Sequence, residues 1–355
     1  MESYIKGTAM ISPQRTFEDK GFPEEVINYT GSDYLGCIEP SYRDYIDPMV
    51  ARRMSRIVKM GVCAAIRCMK NSNVEMPDAV LAGTGLGCLE DTEKFLGSIF
   101  NNAEKLLNPT PFIQSTHNTV AAAIALAIKC HNYNATYTHR GFSFESAIQD
   151  ALLQLAEKPE ANILTGGFDE LTVNSYHITK RLGMWKNHPV TSLRLKEYNT
   201  RGSLPGEGTA FFMLSGIHGS HDIAALKAMR TFYKPRDHHE IENHLDQLLG
   251  EAGVHLHDVS LMMLGVNGDP STDSMYYRLM SDRCNRLPGA YFKHLCGEYD
   301  TASSFALWLS AILLKNQVIP ESIGLTGNLP GVLDNIVIYN HLRGSYHAMY
   351  LLSRC

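Results

Sequence analysis

The feature that most constrains this chain is a pattern that starts twice. Strand and helix signals alternate up to about residue 217, and there the alternation begins again. In the first run "DAVLAGTGLG" reads as a buried strand entering a glycine turn and "NATYTH" as a short strand. "ANILTGGFDE" follows as a buried strand ending in a glycine pair. In the second, "DIAALKAMRTFY" reads as strand, "HEIENHLDQLLGEAG" as helix, "SLMMLGVNG" as buried strand and "STDSMYYRLMSDRC" as helix. "DNIVIYNHLRGSYHAMYLLS" closes it as two strands around a glycine turn. Strands alternating with helices in two successive sets predict a duplicated α/β architecture, divided as 1–217 and 218–355. No internal sequence identity accompanies the repeat, so it rests on pattern alone.

Two segments, "NTVAAAIALAIKC" (118–130) and "TASSFALWLSAILLK" (301–315), are apolar on every helical face. Such helices are expected to be covered on all sides. "DPMVARRMSRIVKMGVCAAIRCMK" (47–70) reads as one long helix, with Val50, Met54, Ile57, Val58 and Val62 along a single stripe.

Charge and motif content exclude several function classes. A net charge of −5 leaves no basic surplus to track phosphates, so nucleic acid is not an expected partner. "TVAAAIALAI" is too short to span a bilayer, and the opening residues lack signal-peptide order. A cytoplasmic location is therefore expected. The eight cysteines (37, 63, 68, 88, 130, 284, 296 and 355) form no CxxC and read as reduced, mostly buried thiols. "GTGLGC" lacks the spacing of a dinucleotide fingerprint and no cofactor is expected. "DHHEIENH" has the spacing HExxxH rather than HExxH, so it reads as a surface helix and no metal is expected.

The most informative stretch is "THRGFSFESAIQDALLQLAEK" (138–158). It reads as a strand end, a tight turn at Gly141 and an amphipathic helix, with Ala147, Ile148, Ala151, Leu152 and Leu155 on one stripe and Ser143 capping its start. Many enzymes present a nucleophile this way, yet no cysteine or GxSxG serine stands at this turn.

Several segments, in order, resemble the β-ketoacyl-acyl-carrier-protein synthases of the thiolase fold. They are "DPMVARRMSRIVK", "ESAIQDAL", "TGGFDE", "TRGSLPGEGTAFFMLS" and "KHLCGEYDTASSFALWLSAILLKNQVIP". The resemblance implies an α/β, thiolase-like fold of two quasi-equivalent halves with layered α-β-α-β-α architecture. It also implies two central helices, 143–158 and 300–315, aiming their N-termini at one site. Helix N-termini favour a thiolate and a developing oxyanion. Active members carry a cysteine and two histidines there. By the resemblance those three positions fall here on Gly141, Asn267 and Glu298, with Lys293 at the family's lysine. Arg343 stands near the family's phenylalanine gate.

That loss implies a degenerate β-ketoacyl synthase-like subunit of the chain-length-factor type. Its expected partners are an active ketosynthase and an acyl carrier protein, in fatty acid, polyketide or aryl-polyene elongation. "NATYTH" would lie at the dimer seam, and Phe142 and Phe144 would set pocket depth. Lys293 and Glu298 are expected to form a structural ion pair, Cys296 to be a core thiol, and His117 to satisfy backbone groups at a helix start. Two alternatives stay open at this stage. One is an active thiolase-fold transferase or hydrolase using Ser143 with His139, or Cys296. The other is a homodimeric acyl- or carrier-protein-binding module.

Overall fold

The computed structural model of the chain describes residues 2–18, 21–328 and 331–355. Ten strands form one sheet: β1 (Ser3–Ile11), β2 (Ala79–Gly83), β3 (Tyr133–Tyr137), β4 (Ile163–Asp169), β5 (Gly208–Ser215), β6 (Ala224–Tyr233), β7 (Leu261–Leu264), β8 (Gly289–Tyr291), β9 (Asn335–Leu342) and β10 (Tyr346–Ser353). Their spatial order is β3-β2-β4-β5-β1-β6-β10-β9-β7-β8. Read inward from either end, the order is the same, with β1 to β5 matching β6 to β10. Directions match as well. β2 runs parallel to β3 and β4, and β7 parallel to β8 and β9, while the other pairs within each half are antiparallel. A short antiparallel contact of β1 with β6, Ser3–Ile5 against Ala224–Leu226, joins the halves. The repeat therefore lives in topology, which constrains residue periodicity and not residue identity.

The α-helices of the described residues are α1 (Pro48–Ala51), α2 (Arg56–Ser72), α3 (Leu89–Asn101), α4 (Pro109–Gln114), α5 (Thr119–Ala127) and α6 (Ser143–Glu157) in the first half. They continue with α7 (Val173–Arg181), α8 (His238–Ala252), α9 (Pro270–Asp282), α10 (Lys293–Cys296) and α11 (Ser303–Asn316). Successive residues of β2 serve opposite cores, which is what a strand period of two produces in a covered sheet. Ala79 and Leu81 join the central core with Phe144 and Ile148 of α6 and Phe305 and Leu309 of α11. Val80 and Ala82 face Ile57 and Met60 of α2 and Val120 and Ile124 of α5. On the outer side of the second half, Leu245 and Leu248 of α8 and Tyr276 and Leu279 of α9 cover Met262, Val337 and Leu351. The layers are thus helix, sheet, helix, sheet, helix. No helix among the described residues is long and apolar enough to cross a membrane.

Two helix expectations need correction. The segment 47–70 is not one helix: Asp47 caps the short α1, and Ser55 adopts extended backbone (φ −67°, ψ 168°) before α2 starts. Val50 is consequently exposed and the buried stripe begins at Ile57. Nor is α5 covered on all sides. Only Val120, Ala121 and Ile124 are buried, and Leu126 is 79% exposed. Its apolar outer face lies beside β3, the edge strand, where nothing among the described residues covers it. By contrast α11 is buried from Ser303 to Leu314. All eight cysteines are free, and six are buried.

Candidate functional site

The turn between β3 and α6 is a single 3-10 turn, Arg140–Phe142. Its left-handed residue is Arg140 (φ 51°), one position before the glycine. Gly141 is needed for room rather than for conformation. A Cβ built there would lie 2.8 Å from the Cβ atoms of both Leu342 and Tyr346. The β9–β10 hairpin therefore fills the space that a side chain at this turn would need. Ser143 does not cap α6, as expected from sequence, but is its first helical residue. Fully buried, its hydroxyl accepts the backbone N–H of His139 at 2.7 Å and braces the turn. The exposed His139 ring packs edge-on against Phe142, which in turn meets Tyr346. Phe144, expected to set pocket depth, is instead fully buried in the central core against Phe212. His117 is exposed, and among the described residues its ring has no hydrogen bond that would satisfy a helix start.

The first turns of α6 and α11 meet. Ser303 Oγ and Tyr350 Oη both donate to Glu145 Oε1, at 2.6 and 2.8 Å, while Glu145 Oε2 has no hydrogen-bond partner. Burial pushes the Glu145 carboxyl up to about 7. Beside this junction the ends of β4 and α11 are pinned by Asp169. It accepts the amide and hydroxyl of Thr301 and, on its other oxygen, Thr84 Oγ1 and the Gly85 amide, all at 2.8–3.0 Å. Burial and the neighbouring Asp300 raise its carboxyl to about 7. Asp300 is raised in turn by burial, against the opposing pull of Arg343 and Arg140. Arg140 Nη1 lies 4.0 Å from Asp300 Oδ2. Arg343 is exposed at the β9–β10 turn, where it and Gly344 take the positive φ values (53° and 62°) that type I′ turns require.

Lys293, Glu298 and Asn267 come together in a closed network. Lys293 Nζ donates to both carboxylate oxygens of Glu298 (2.8 and 2.7 Å) and to the carbonyl of His341 (3.0 Å), which uses all three of its N–H groups. Asn267 Nδ2 donates to Glu298 Oε2 at 2.7 Å. The Asn267 backbone is held by Asp273, which accepts the amides of Asn267 and Gly268. The "LPGEG" segment runs directly against this cluster. The Glu298 N–H donates to the Leu204 carbonyl and the Gly206 N–H to the Glu298 carbonyl, and a Cβ on Gly206 would lie 1.9 Å from the Cys296 carbonyl oxygen. Cys296 itself is fully buried, its thiol pushed well above the usual range by burial, and it donates only to the Gly297 carbonyl.

Residues 37–193 match the family model described as beta-ketoacyl synthase, N-terminal domain. The chain has the ketosynthase fold. A search of curated protein sequences finds no match. Among solved structures it is similar to the ishigamide ketosynthase/chain length factor, with TM-score 0.81 and 13% identity over 100% of this chain and 99% of that one. A beta-ketoacyl synthase from Burkholderia phymatum STM815 superposes with TM-score 0.78 and 14% identity, covering 100% and 99%. So does the ketosynthase (ApeO) in complex with its chain length factor (ApeC) from Xenorhabdus doucetiae, at TM-score 0.78 and 14% identity over 99% and 98%.

Reading the ketosynthase-like sequence for reactive residues passes over Glu145, Asp169 and Asp300, yet two of them carry a signal. Glu145 precedes Ile148 and Leu152 by three and seven residues, so the helical period places it on the buried stripe. Asp169 ends a wholly buried strand. Glu145 also yields a pH prediction. Its folded pKa of about 7 stands above the ordinary 4.5, so between these values the folded chain holds a proton the unfolded chain has released. Stability from this residue is fully present below pH 4.5 and declines as pH rises, levelling off above about 7. Glu145→Gln should remove that decline and leave the variant more stable than wild type by up to about 3 kcal/mol at about pH 8. Urea midpoints across this pH range test it. A wild-type midpoint that rises with pH relative to the variant contradicts it.

Proposed function

We propose that this chain is a chain-length-factor-type subunit. It has no condensing activity of its own and pairs with an active ketosynthase to shape the pocket for a growing acyl chain held on a carrier protein. The observation that carries this reading is the closed polar network. Glycine at 141 has no room for a side chain, Asn267 is spent on Glu298, and every N–H of Lys293 is engaged. Among the described residues no thiol or imidazole takes part in this network, which leaves these positions without a group to accept an acyl chain or to stabilise an enolate.

The partner surface is supported by the open edge of β3. Leu126, Tyr133 and Leu153 are more than half exposed around it, an apolar group that a facing strand would cover. Beside this edge lies a surface cavity of about 490 Å³, lined by Tyr137, His139, Phe142, Leu153, Met229 and Thr231. A partner along β3 would roof it, leaving Phe142 as the wall that limits its depth. The similar solved structures bear on the same point, since two are described as a ketosynthase together with a chain length factor. Within this reading the chain divides at 217/218 and works in the cytoplasm, in fatty acid, polyketide or aryl-polyene elongation. A hydrolase or transferase using Ser143 or Cys296 is disfavoured, because both side chains are fully buried and committed to backbone groups.

The test is intact mass after incubation with acyl and malonyl carrier proteins, with and without a co-expressed ketosynthase. The two chains should co-purify and the acyl adduct should form on the ketosynthase alone. A stable adduct on this chain by itself overturns the degenerate-subunit reading. Failure to co-purify, with this chain recovered as a homodimer, overturns the partner.

A further inference from the structure

Helix α9 starts next to the Asn267 loop and ends twelve residues later at Asp282, a span of about 18 Å at 1.5 Å per residue. Its far end meets the first turn of α8, in the "DHHEIENH" segment. The pair suggested by HExxxH, His239 and His244, is out of step on the helix. A different pair, His238 and Glu242, stands four residues apart on one face. His238, Glu242 and Asp282 each bring one ligand atom to within 4.8 Å of the others.

His238 is 8% exposed, and its Nε2 is buried without a hydrogen-bond partner. That nitrogen points at Glu242 Oε1 from 3.5 Å. The separation is long for a hydrogen bond, but it is close to the edge of a tetrahedron around zinc with bonds of about 2.0–2.1 Å. The remaining oxygens are already oriented. Glu242 Oε2 meets His239 Nδ1 at 2.9 Å, and Asp282 Oδ1 accepts Ser281 Oγ at 2.7 Å. Such outer contacts fix ligand geometry in metal sites. The competing cation is Arg278, whose Nε lies 3.3 Å from Asp282 Oδ2. Its side chain is 59% exposed and free to swing into solvent.

We propose that His238, Glu242 and Asp282 form a zinc-type divalent-cation site that clamps α8 to the C-terminal end of α9. Two carboxylates and one imidazole leave a fourth position for water, and the negative end of the α9 dipole favours the cation. The clamp is structural: it steadies the helix whose other end carries Asp273 and thereby the Asn267 loop.

The test is calorimetric titration of the chelator-treated full chain with zinc, with cobalt absorption reporting coordination number. The expected result is one equivalent bound with a four-coordinate cobalt spectrum. His238→Ala and Asp282→Asn should each weaken binding at least tenfold. Asp282 is exposed at a helix end, so D282N keeps the fold, which far-UV circular dichroism verifies. Cys355→Ser should bind like wild type, separating this site from the surface group His218, Asp222 and Cys355. No zinc on the wild type, undiminished binding by both α8 and α9 variants, or a loss confined to C355S overturns the proposal.

Discussion

Lys293→Met should lower the unfolding free energy by roughly 3–5 kcal/mol, the usual cost of leaving one member of a buried ion pair without its partner. Lys293 is 0% exposed and Glu298 4%, so water cannot replace the lost counter-charge. Only the Asn267 amide would still face the carboxylate. Glu298→Gln should cost a similar amount, since it strands the ammonium with the His341 carbonyl and a neutral amide. The double variant K293M/E298Q should recover most of either loss, because no unpaired charge is left. Guanidinium unfolding of the four chains tests this as a cycle. A double variant whose loss equals the sum of the singles would show that the two groups do not interact.

The second large effect is at the turn. Gly141→Cys, the change that would nominally return a nucleophile, should destabilise the chain by about 1–3 kcal/mol or more and give no acyl adduct. The clash begins at Cβ, 2.8 Å from Leu342 Cβ and Tyr346 Cβ, and these belong to the hairpin body rather than to flexible side-chain ends. To admit the thiol, β9 and β10 must shift relative to α6. Gly141→Ala should show most of the same loss, and truncating Leu342 in the cysteine variant should return part of it. Thermal melts and intact mass read both outcomes. If G141C keeps wild-type stability and becomes acylated, the slot is open and only the thiol is missing. In that case the reading of a pocket closed by the hairpin is wrong.

Much of this architecture is legible before any coordinates. The strand and helix periods of "SLMMLGVNG", "STDSMYYRLMSDRC" and "TASSFALWLSAILLK" mark elements of the second half. The restarting alternation anticipates two successive sets of strands, while β1 and β8 go unread in the sequence. Periodicity works here because burial acts on one face, or on all faces, of a whole element, so many residues report the same fact. It misleads where an apolar face is left uncovered. The apolar outer face of α5 reads as core, yet Leu126 is exposed beside the open β3 edge. It also misses local backbone breaks, as at Ser55, where one extended residue divides a continuous apolar pattern.

The site divides along the same line. By the family resemblance, Gly141, Asn267, Lys293 and Glu298 are the positions to watch. Lys293 and Glu298 are five residues apart, out of step on a helix, and it is the end of α10 at Cys296 with the turn at Gly297 (φ 78°) that lets them meet. What they do was decided in three dimensions. Gly141 is held to glycine by two side chains some two hundred residues away, on β9 and β10. The remaining hydrogen bonds of the Lys293–Glu298 pair are taken by Asn267, from the loop after β7, and by the His341 carbonyl on β9. Glu145 becomes the junction of two central helices only because Ser303 and Tyr350 converge on it. Sequence determines which faces are apolar and hence which layers form, since that information is local and repeated. Steric exclusion and the pairing of buried charges involve single contacts between distant segments. No local pattern encodes them, so only the folded chain settles them.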